Sequence, residues 1–107
     1  VFEMTRSFNK EQFKLREHLE RLYAGIKILR IPVKMSIEEM EKKVYDTINI
    51  NDPLFNDDDE HRVMIDVTRG ALSIYHGVKD IQKEPNIIIS DFHKKNINRL
   101  VQLIFFL

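Results

Sequence analysis

The chain has 107 residues, which fits one domain, and its 43% hydrophobic and 32% charged content is ordinary for a globular protein. Lys+Arg and Asp+Glu both number 17, giving a formal net charge of zero. This balance speaks against a nucleic-acid partner, which requires a basic surface. The absence of cysteine excludes disulfides, thiolate nucleophiles and zinc–thiolate sites, and is compatible with a cytoplasmic location.

Association with other molecules is constrained by the same composition. No stretch approaches the roughly 20 apolar residues that a membrane span needs, so we expect no membrane partner. A neutral chain also lacks the net repulsion that keeps copies apart, so we expect a homo-oligomer. Because the sequence begins at Val1 without an initiator, we also expect residues before it.

Two helices are predicted after an opening hairpin. Residues 1–8 alternate partly between apolar and polar, and residues 9–12 are typical of a turn. An apolar stripe at helical spacing then predicts an amphipathic helix that ends at Pro32. Ser36 and Glu39 have the spacing of a capping box, which opens a second helix that ends near residues 51–53. The stripe residues are Leu15, Leu19, Leu22, Ile26 and Leu29 in the first helix, and Ile37, Met40, Val44 and Ile48 in the second.

The second half of the chain predicts two strands and a last helix. Val63, Ile65 and Val67 alternate within residues 62–69, and residues 86–90 form a short apolar run, typical of a buried strand. From Asn96 onward the apolar residues recur at helical spacing. The predicted fold class is therefore α+β, an antiparallel or mixed sheet with two amphipathic helices on one face plus a C-terminal helix. The run Leu103–Leu107 is apolar on all sides, so we expect it to be buried against its own sheet or a second copy.

Residues that could hold a metal are scattered. The acidic run at residues 56–60 lacks the glycine and terminal glutamate spacing of a calcium loop, so we expect a solvated loop. The four histidines, His18, His61, His76 and His93, form no metal-binding pair. No metal site is predicted, and each histidine is expected to lie on the surface or at the edge of the core.

One strip of the first helix stands out. His18, Arg21, Gly25 and Ile28 lie beside the apolar stripe, which places Arg21 at a packed boundary. A cation next to a position without a side chain suits an anion with several oxygens, such as a phosphate. A simpler interpretation is that Arg21 pairs with an acidic neighbour on the helix, Glu17 or Glu20, and that Gly25 only permits close packing.

Several segments together resemble the class IV aminotransferases, pyridoxal-phosphate enzymes that include branched-chain and D-amino-acid aminotransferases. The matching segments are Val1-Phe-Glu-x-x-Arg6, Phe13-Lys-Leu-x-Glu-His-Leu-Glu-Arg-Leu22, Leu29-Arg-Ile-Pro32, the Ser-x-Glu-Glu helix start at Ser36, and Val67-Thr-Arg-Gly70. They occur in the family's order over residues 1–92. The resemblance implies a small aminotransferase domain over 1–92 and a divergent helical tail over 93–107.

The resemblance also implies site residues. Arg21 matches the arginine that holds the cofactor phosphate, which favours the phosphate interpretation over the simpler one. Phe2 matches an aromatic residue of the substrate pocket, and Arg6 matches a position that meets a substrate carboxylate in some members. His76 matches a histidine of the carboxylate trap in D-amino-acid enzymes.

Two departures leave the substrate open between branched-chain and D-amino acids. Ile74 stands where D-amino-acid enzymes carry an arginine. Met64 stands where branched-chain enzymes carry one. Either change removes a bidentate carboxylate contact.

The Schiff-base lysine has no matching position in this chain, because the family carries it in a following larger domain. We therefore expect a fragment of an aminotransferase, by truncation or frameshift, that is inactive alone and binds no cofactor alone. The alternative is a genuine short protein that keeps the fold as a non-catalytic interaction module.

Overall fold

The computed structural model describes residues 1–70, 85–93 and 100–106. Within them, strands β1 (Phe2–Phe8) and β2 (Glu11–Gln12) are followed by helices α1 (Leu15–Leu29) and α2 (Ile37–Asn51) and a 3-10 turn (Asp52–Leu54). Strands β3 (His61–Thr68), β4 (Asn86–His93) and β5 (Leu100–Phe106) complete a five-stranded sheet of order β2-β1-β3-β4-β5. Every pairing is antiparallel, so the predicted α+β class with an antiparallel sheet is confirmed.

The opening hairpin turns tightly. Asn9 and Lys10 both have positive φ, 52° and 68°, the geometry of a two-residue turn whose twist matches that of the flanking strands. The return strand is short, because Ser7 pairs with Gln12 and Phe8 with Glu11 before the chain enters α1. Most of β1 therefore has no described strand paired to this edge.

Helix α1 ends differently from the prediction. Arg30 adopts a left-handed conformation with φ 55°, and its N–H bonds to the carbonyls of Ile26 and Lys27. Ile31 donates to the Ile26 carbonyl at 3.0 Å, so a left-handed cap, and not Pro32, stops the helix. Leu29, predicted to lie on the buried stripe, is 45% exposed, because this cap turns the last residue away from the core. One of the two hydrogen bonds of the predicted capping box at the start of α2 is confirmed: the Ser36 side chain accepts from the Glu39 N–H at 3.1 Å.

Both helices lie on one face of the sheet. The core joins the α1 and α2 stripes to alternate residues of β3 and β4: Leu15, Leu19, Leu22, Ile26, Met40, Val44, Ile48, Val63, Ile65, Val67, Ile87 and Ile89. Because side chains alternate across a strand, the intervening residues point to the opposite face. We call that face the open face, and among its members are Phe2, Met4 and Arg6 of β1, Arg62 and Met64 of β3, and Ile88 of β4.

The predicted C-terminal helix is wrong. Leu100–Phe106 is a strand that pairs antiparallel with β4, with Ile89 opposite Leu103 and Asn86 opposite Phe106. A continuous run of apolar, β-branched and aromatic residues fits a strand as well as a buried helix, and the free edge of β4 supplies backbone partners that favour the strand. No helix in the described part of the chain is long and apolar enough to cross a membrane.

Candidate functional site

A buried carboxylate anchors the arginine singled out in the sequence. Glu3 lies on β1 and faces α1, where its side chain is only 8% exposed. Arg21 of α1 donates to both of its oxygens, with Nη2 at 2.8 Å from Oε2 and Nε on Oε1. His18, one turn earlier, places Nδ1 at 3.0 Å from the same Oε2. These hydrogen bonds, that of Arg21 above all, hold the pKa of Glu3 below its usual value against the opposing effect of burial.

The boundary position predicted for Arg21 is only partly right. Its side chain is 72% exposed, yet its partner is neither Glu17 nor Glu20, as the simpler interpretation had it, but the buried Glu3. The pairing fixes the plane of the guanidinium. Since an arginine has five N–H donors, the edge not used by Glu3 can still bind an anion.

A shallow pocket lies beside that arginine. Its volume is about 220 Å³, and it is lined by Lys14, Glu17, His18 and Arg21. We call it the cationic pocket, because two cations, Lys14 and Arg21, line it against a single carboxylate, Glu17. Such a lining suits an oxyanion.

Gly25 does not open this strip to a ligand. A Cβ at Gly25 would meet the Val1 side chain at 3.3 Å, so the space is filled by the residue that precedes β1. Val1 itself is held in the sheet, because its carbonyl accepts from the Val67 N–H at 2.8 Å. The glycine therefore permits close packing of the helix on the first strand, as the simpler interpretation proposed for this residue.

A second pocket lies where β1 meets β3. Its volume is about 250 Å³, and we call it the arginine pocket; it is lined by Met4, Thr5, Arg6, Phe13, His18 and Arg62. His18 lines both pockets, so the two are adjacent. Arg6 was predicted from the sequence, but Arg62 was not, because its proximity to Arg6 depends on strand register.

The remaining predicted site residues separate into two groups. Phe2 is 64% exposed on the open face, on the same face as Arg6. His76, together with the departure at Ile74, lies outside the described residues.

The sequence analysis missed Glu3. A charged residue on the buried face of a strand signals a partner that compensates its charge.

A buried polar cluster lies at the far end of the helix-covered face. His61 Nδ1 lies 2.8 Å from Asp91 Oδ2, and its Nε2 lies 2.8 Å from Asp52 Oδ1. Phe55 stacks on His61 with ring centroids 3.7 Å apart, and on the other side it stacks on His93 at 3.8 Å. We call these five residues the histidine cluster.

The histidine cluster corrects two expectations. His61 and His93 are buried core residues and do not lie at the surface or the core edge. The acidic run is not wholly solvated, since Asp59 is buried and binds His93 Nδ1 at 2.6 Å. Within the described residues no group of three histidines or carboxylates is arranged to hold a metal ion.

Comparison with known proteins gives concordant results. The family model for amino-transferase class IV matches residues 1–101. A Methanocaldococcus jannaschii protein named as a branched-chain-amino-acid aminotransferase is 39% identical over 51 residues, covering 48% of this chain and 18% of that protein. Two solved structures of the Escherichia coli branched-chain amino acid aminotransferase superpose with a TM-score of 0.61 at 28% identity, covering 86% of this chain and 30% of theirs. The chain thus spans less than a third of the length of these relatives.

Proposed function

Because the chain belongs to the class IV aminotransferase family, we propose that it forms one side of a pyridoxal-phosphate site. In the enzyme that contains it, an amino group passes between an amino acid and a 2-oxo acid. The observation that carries this proposal is the pairing of Arg21 with Glu3, which holds a guanidinium at the rim of the cationic pocket.

The residues of the cationic pocket fit a phosphate ester. Arg21 keeps free N–H groups beyond those used by Glu3, and Lys14 and His18 line the same pocket. Glu3 orients Arg21. Because Glu3 is buried, it leaves the N–H groups of Arg21 that face solvent available to a ligand. Arg21 therefore binds the phosphate and fixes the position of the cofactor ring, while the aldehyde of pyridoxal phosphate supplies the reactive carbon when bound.

The open face supplies the substrate side in this proposal. Phe2 and Met4 present an apolar surface that excludes water from a bound substrate, and Arg6 presents a cation for its carboxylate. Branched-chain amino acids are the favoured donors, in keeping with the names of the relatives and with this aliphatic and aromatic surface.

Catalysis requires a lysine amine, which we propose lies outside these 107 residues. A polypeptide of this sequence, incubated with pyridoxal phosphate, leucine and 2-oxoglutarate, should form no keto-acid product above the rate of the free cofactor. Turnover above that rate would show that a lysine of this chain performs the chemistry.

The phosphate assignment has its own test in the longer enzyme proposed to contain this chain. It uses pyridoxine phosphate, a cofactor analogue without the aldehyde, which forms no adduct with lysine. Arg21→Ala should weaken its binding by about tenfold, the value of a charge-assisted hydrogen bond to phosphate, as followed by NMR titration. The matched control is Arg16→Ala, because Arg16 lies on the same helix but pairs with Glu38 at 2.8 Å. Equal affinity of the two variants, or preference for neither pyridoxine phosphate nor pyridoxine by the wild type, would contradict the assignment.

A further inference from the structure

Residues 52–60, which connect α2 to β3, are fastened to the sheet by two histidines. Near the start of this segment, Asp52 Oδ1 lies 2.8 Å from His61 Nε2. Near its end, Asp59 Oδ2 lies 2.6 Å from His93 Nδ1. His61 and His93 are direct partners on β3 and β4, so one end of the sheet holds the segment at two points. We call residues 52–60 the α2–β3 loop.

Phe55 fills the space between those two points. It is buried within a stretch of mostly exposed residues, and its ring stacks on His61 at 3.7 Å and on His93 at 3.8 Å. The Phe55 N–H donates to the Asp52 carbonyl at 2.9 Å, so one turn of backbone joins the two residues. A movement of Asp52 away from His61 therefore carries the Phe55 ring with it.

The two carboxylates that face His61 differ in their access to water. Asp91, at Nδ1, is fully buried, whereas Asp52, at Nε2, has a side chain that is 57% exposed. Protonated imidazole donates to both, but neutral imidazole has only one N–H. That proton remains on Nδ1, because a buried carboxylate without a donor is costlier than one that can turn to water. Nε2 then becomes an acceptor that faces the Asp52 carboxylate, and this contact becomes repulsive.

Charged groups of the opening hairpin hold the later part of the loop. Lys10 donates its Nζ to the Asn56 carbonyl at 2.9 Å, and its backbone N–H donates to Glu60 Oε1 at 2.8 Å. Ser7 donates its hydroxyl to the same oxygen at 3.0 Å. Lysine and glutamate side chains do not ordinarily titrate near neutral pH, so these contacts persist when a histidine loses its proton. Opening is thereby confined to the start of the loop.

We propose that the α2–β3 loop is a pH-dependent switch, closed while His61 carries both ring protons and open at residues 52–55 once the Nε2 proton is lost. Burial lowers the pKa of His61, but the hydrogen bonds to Asp91 and Asp52 outweigh it and raise the pKa above 6.5. The loop is therefore closed below that pH and opens as the pH rises through the raised pKa. Loss of the positive charge also weakens the stacking of the imidazole on Phe55. The switch uses no residue assigned to the phosphate or the substrate, so it is independent of the proposed function.

Nuclear Overhauser effects from the Phe55 ring measure the state of the loop directly. In the full 107-residue chain at about pH 6, the ring should show them to the imidazoles of both His61 and His93, and at about pH 9 these signals should be lost. Effects between Ile65 and Ile89, direct partners in the core, should persist at both pH values. Their loss together with the Phe55 signals would show that the whole domain unfolds and would overturn a local switch.

One substitution separates a switch from a merely structural contact. The amide of Asp52→Asn can accept from the charged imidazole and donate to the neutral one, so this variant should keep the Phe55 signals at the higher pH. A merely structural ion pair predicts instead that Asp52→Asn loosens the loop. The matched control is Asp46→Asn, which removes a carboxylate of α2 that pairs with Lys42 at 2.9 Å and should open as the wild type does. Phe55 signals that are absent from the wild type at the lower pH, that persist in it at the higher pH, or that are lost from Asp52→Asn at the higher pH would each overturn the proposal.

Discussion

Glu3 and Arg21 join the first strand to the first helix through an ion pair that is buried at one end and exposed at the other. The Arg21 Nη2 lies 2.8 Å from Glu3 Oε2, and the side chains are 72% and 8% exposed respectively. A buried carboxylate is costly without a cation to compensate it, so Arg21 both permits the burial of Glu3 and is oriented by it. The residue proposed to bind phosphate is thereby held in place by the fold.

The first prediction concerns acid stability. The hydrogen bond from Arg21 lowers the pKa of Glu3 below 4.5, so the pair stabilises the folded state above that value and loses its effect as pH falls through the lowered pKa. Glu3→Gln should therefore reduce the decrease in stability between about pH 5 and pH 3, as measured by urea unfolding. Glu38→Gln is the control, because the Arg16–Glu38 pair is exposed and such pairs contribute little. If the two changes had an equal effect, burial of Glu3 would contribute nothing to the pH dependence of stability.

The second prediction concerns the opposite end of the pH range. Burial lowers the pKa of His61, but the hydrogen bonds to Asp91 and Asp52 outweigh it, so the net pKa lies above 6.5. Since both ring nitrogens face carboxylates, the imidazolium form satisfies both. Asn51 Nδ2, 3.4 Å from Asp91 Oδ2, adds a neutral donor to the same carboxylate. The stabilisation is complete below pH 6.5 and is lost as pH rises through the raised pKa.

Two variants separate the partners of His61. Asp91→Asn leaves the imidazolium without its buried counter-ion and should cost about 3 kcal/mol at pH 6, with less dependence on alkaline pH than the wild type. Asp52→Asn should cost less than about 1 kcal/mol, since Asp52 is 57% exposed. Urea unfolding at pH 6 and about pH 9 measures both, and an NMR titration of His61 with a midpoint below 6.5 would contradict the charged form.

The sequence predicted those features that depend on periodicity within a segment. The buried stripes of α1 and α2, apart from Leu29, and the alternation of Val63, Ile65 and Val67 follow from burial on one side of a regular element. The exposed Leu29 was missed because a left-handed cap at Arg30 overrides the stripe. The C-terminal strand was missed because an apolar run carries no period that distinguishes a strand from a buried helix.

Features that depend on contacts between distant segments could not be predicted from the periodicity within one segment. Arg21 was identified from its position on the first helix and from the resemblance to class IV aminotransferases. Its partner Glu3 lies 18 positions earlier in the chain, on another element. Arg6 and Arg62 are brought together only by the register of β1 and β3. The stacking of Phe55 between His61 and His93 requires the loop after α2 to fold over two strands, which no local pattern encodes.

The third prediction concerns self-association through the open face. Large apolar side chains remain exposed on or beside it, with Phe2 at 64%, Phe8 at 49% and Met4 at 40% exposure. Covering such residues removes apolar area from water, and the zero net charge opposes association only weakly. We therefore expect the chain to form dimers or larger species at micromolar concentration, detectable by sedimentation velocity.

Two lysine substitutions locate the surface that associates. Met64→Lys places a charge at the centre of the open face and should weaken association by at least about tenfold, because a buried ammonium must lose its hydration. Ile28→Lys makes the same kind of change on the outer side of α1, where Ile28 is 79% exposed, and should leave association unchanged. If Ile28→Lys disrupts the assembly and Met64→Lys does not, the helix layer is the interface. A monomeric wild type would mean that the exposed residues of the open face are too few, or too divided by the Arg6 and Arg62 charges, to hold a second copy.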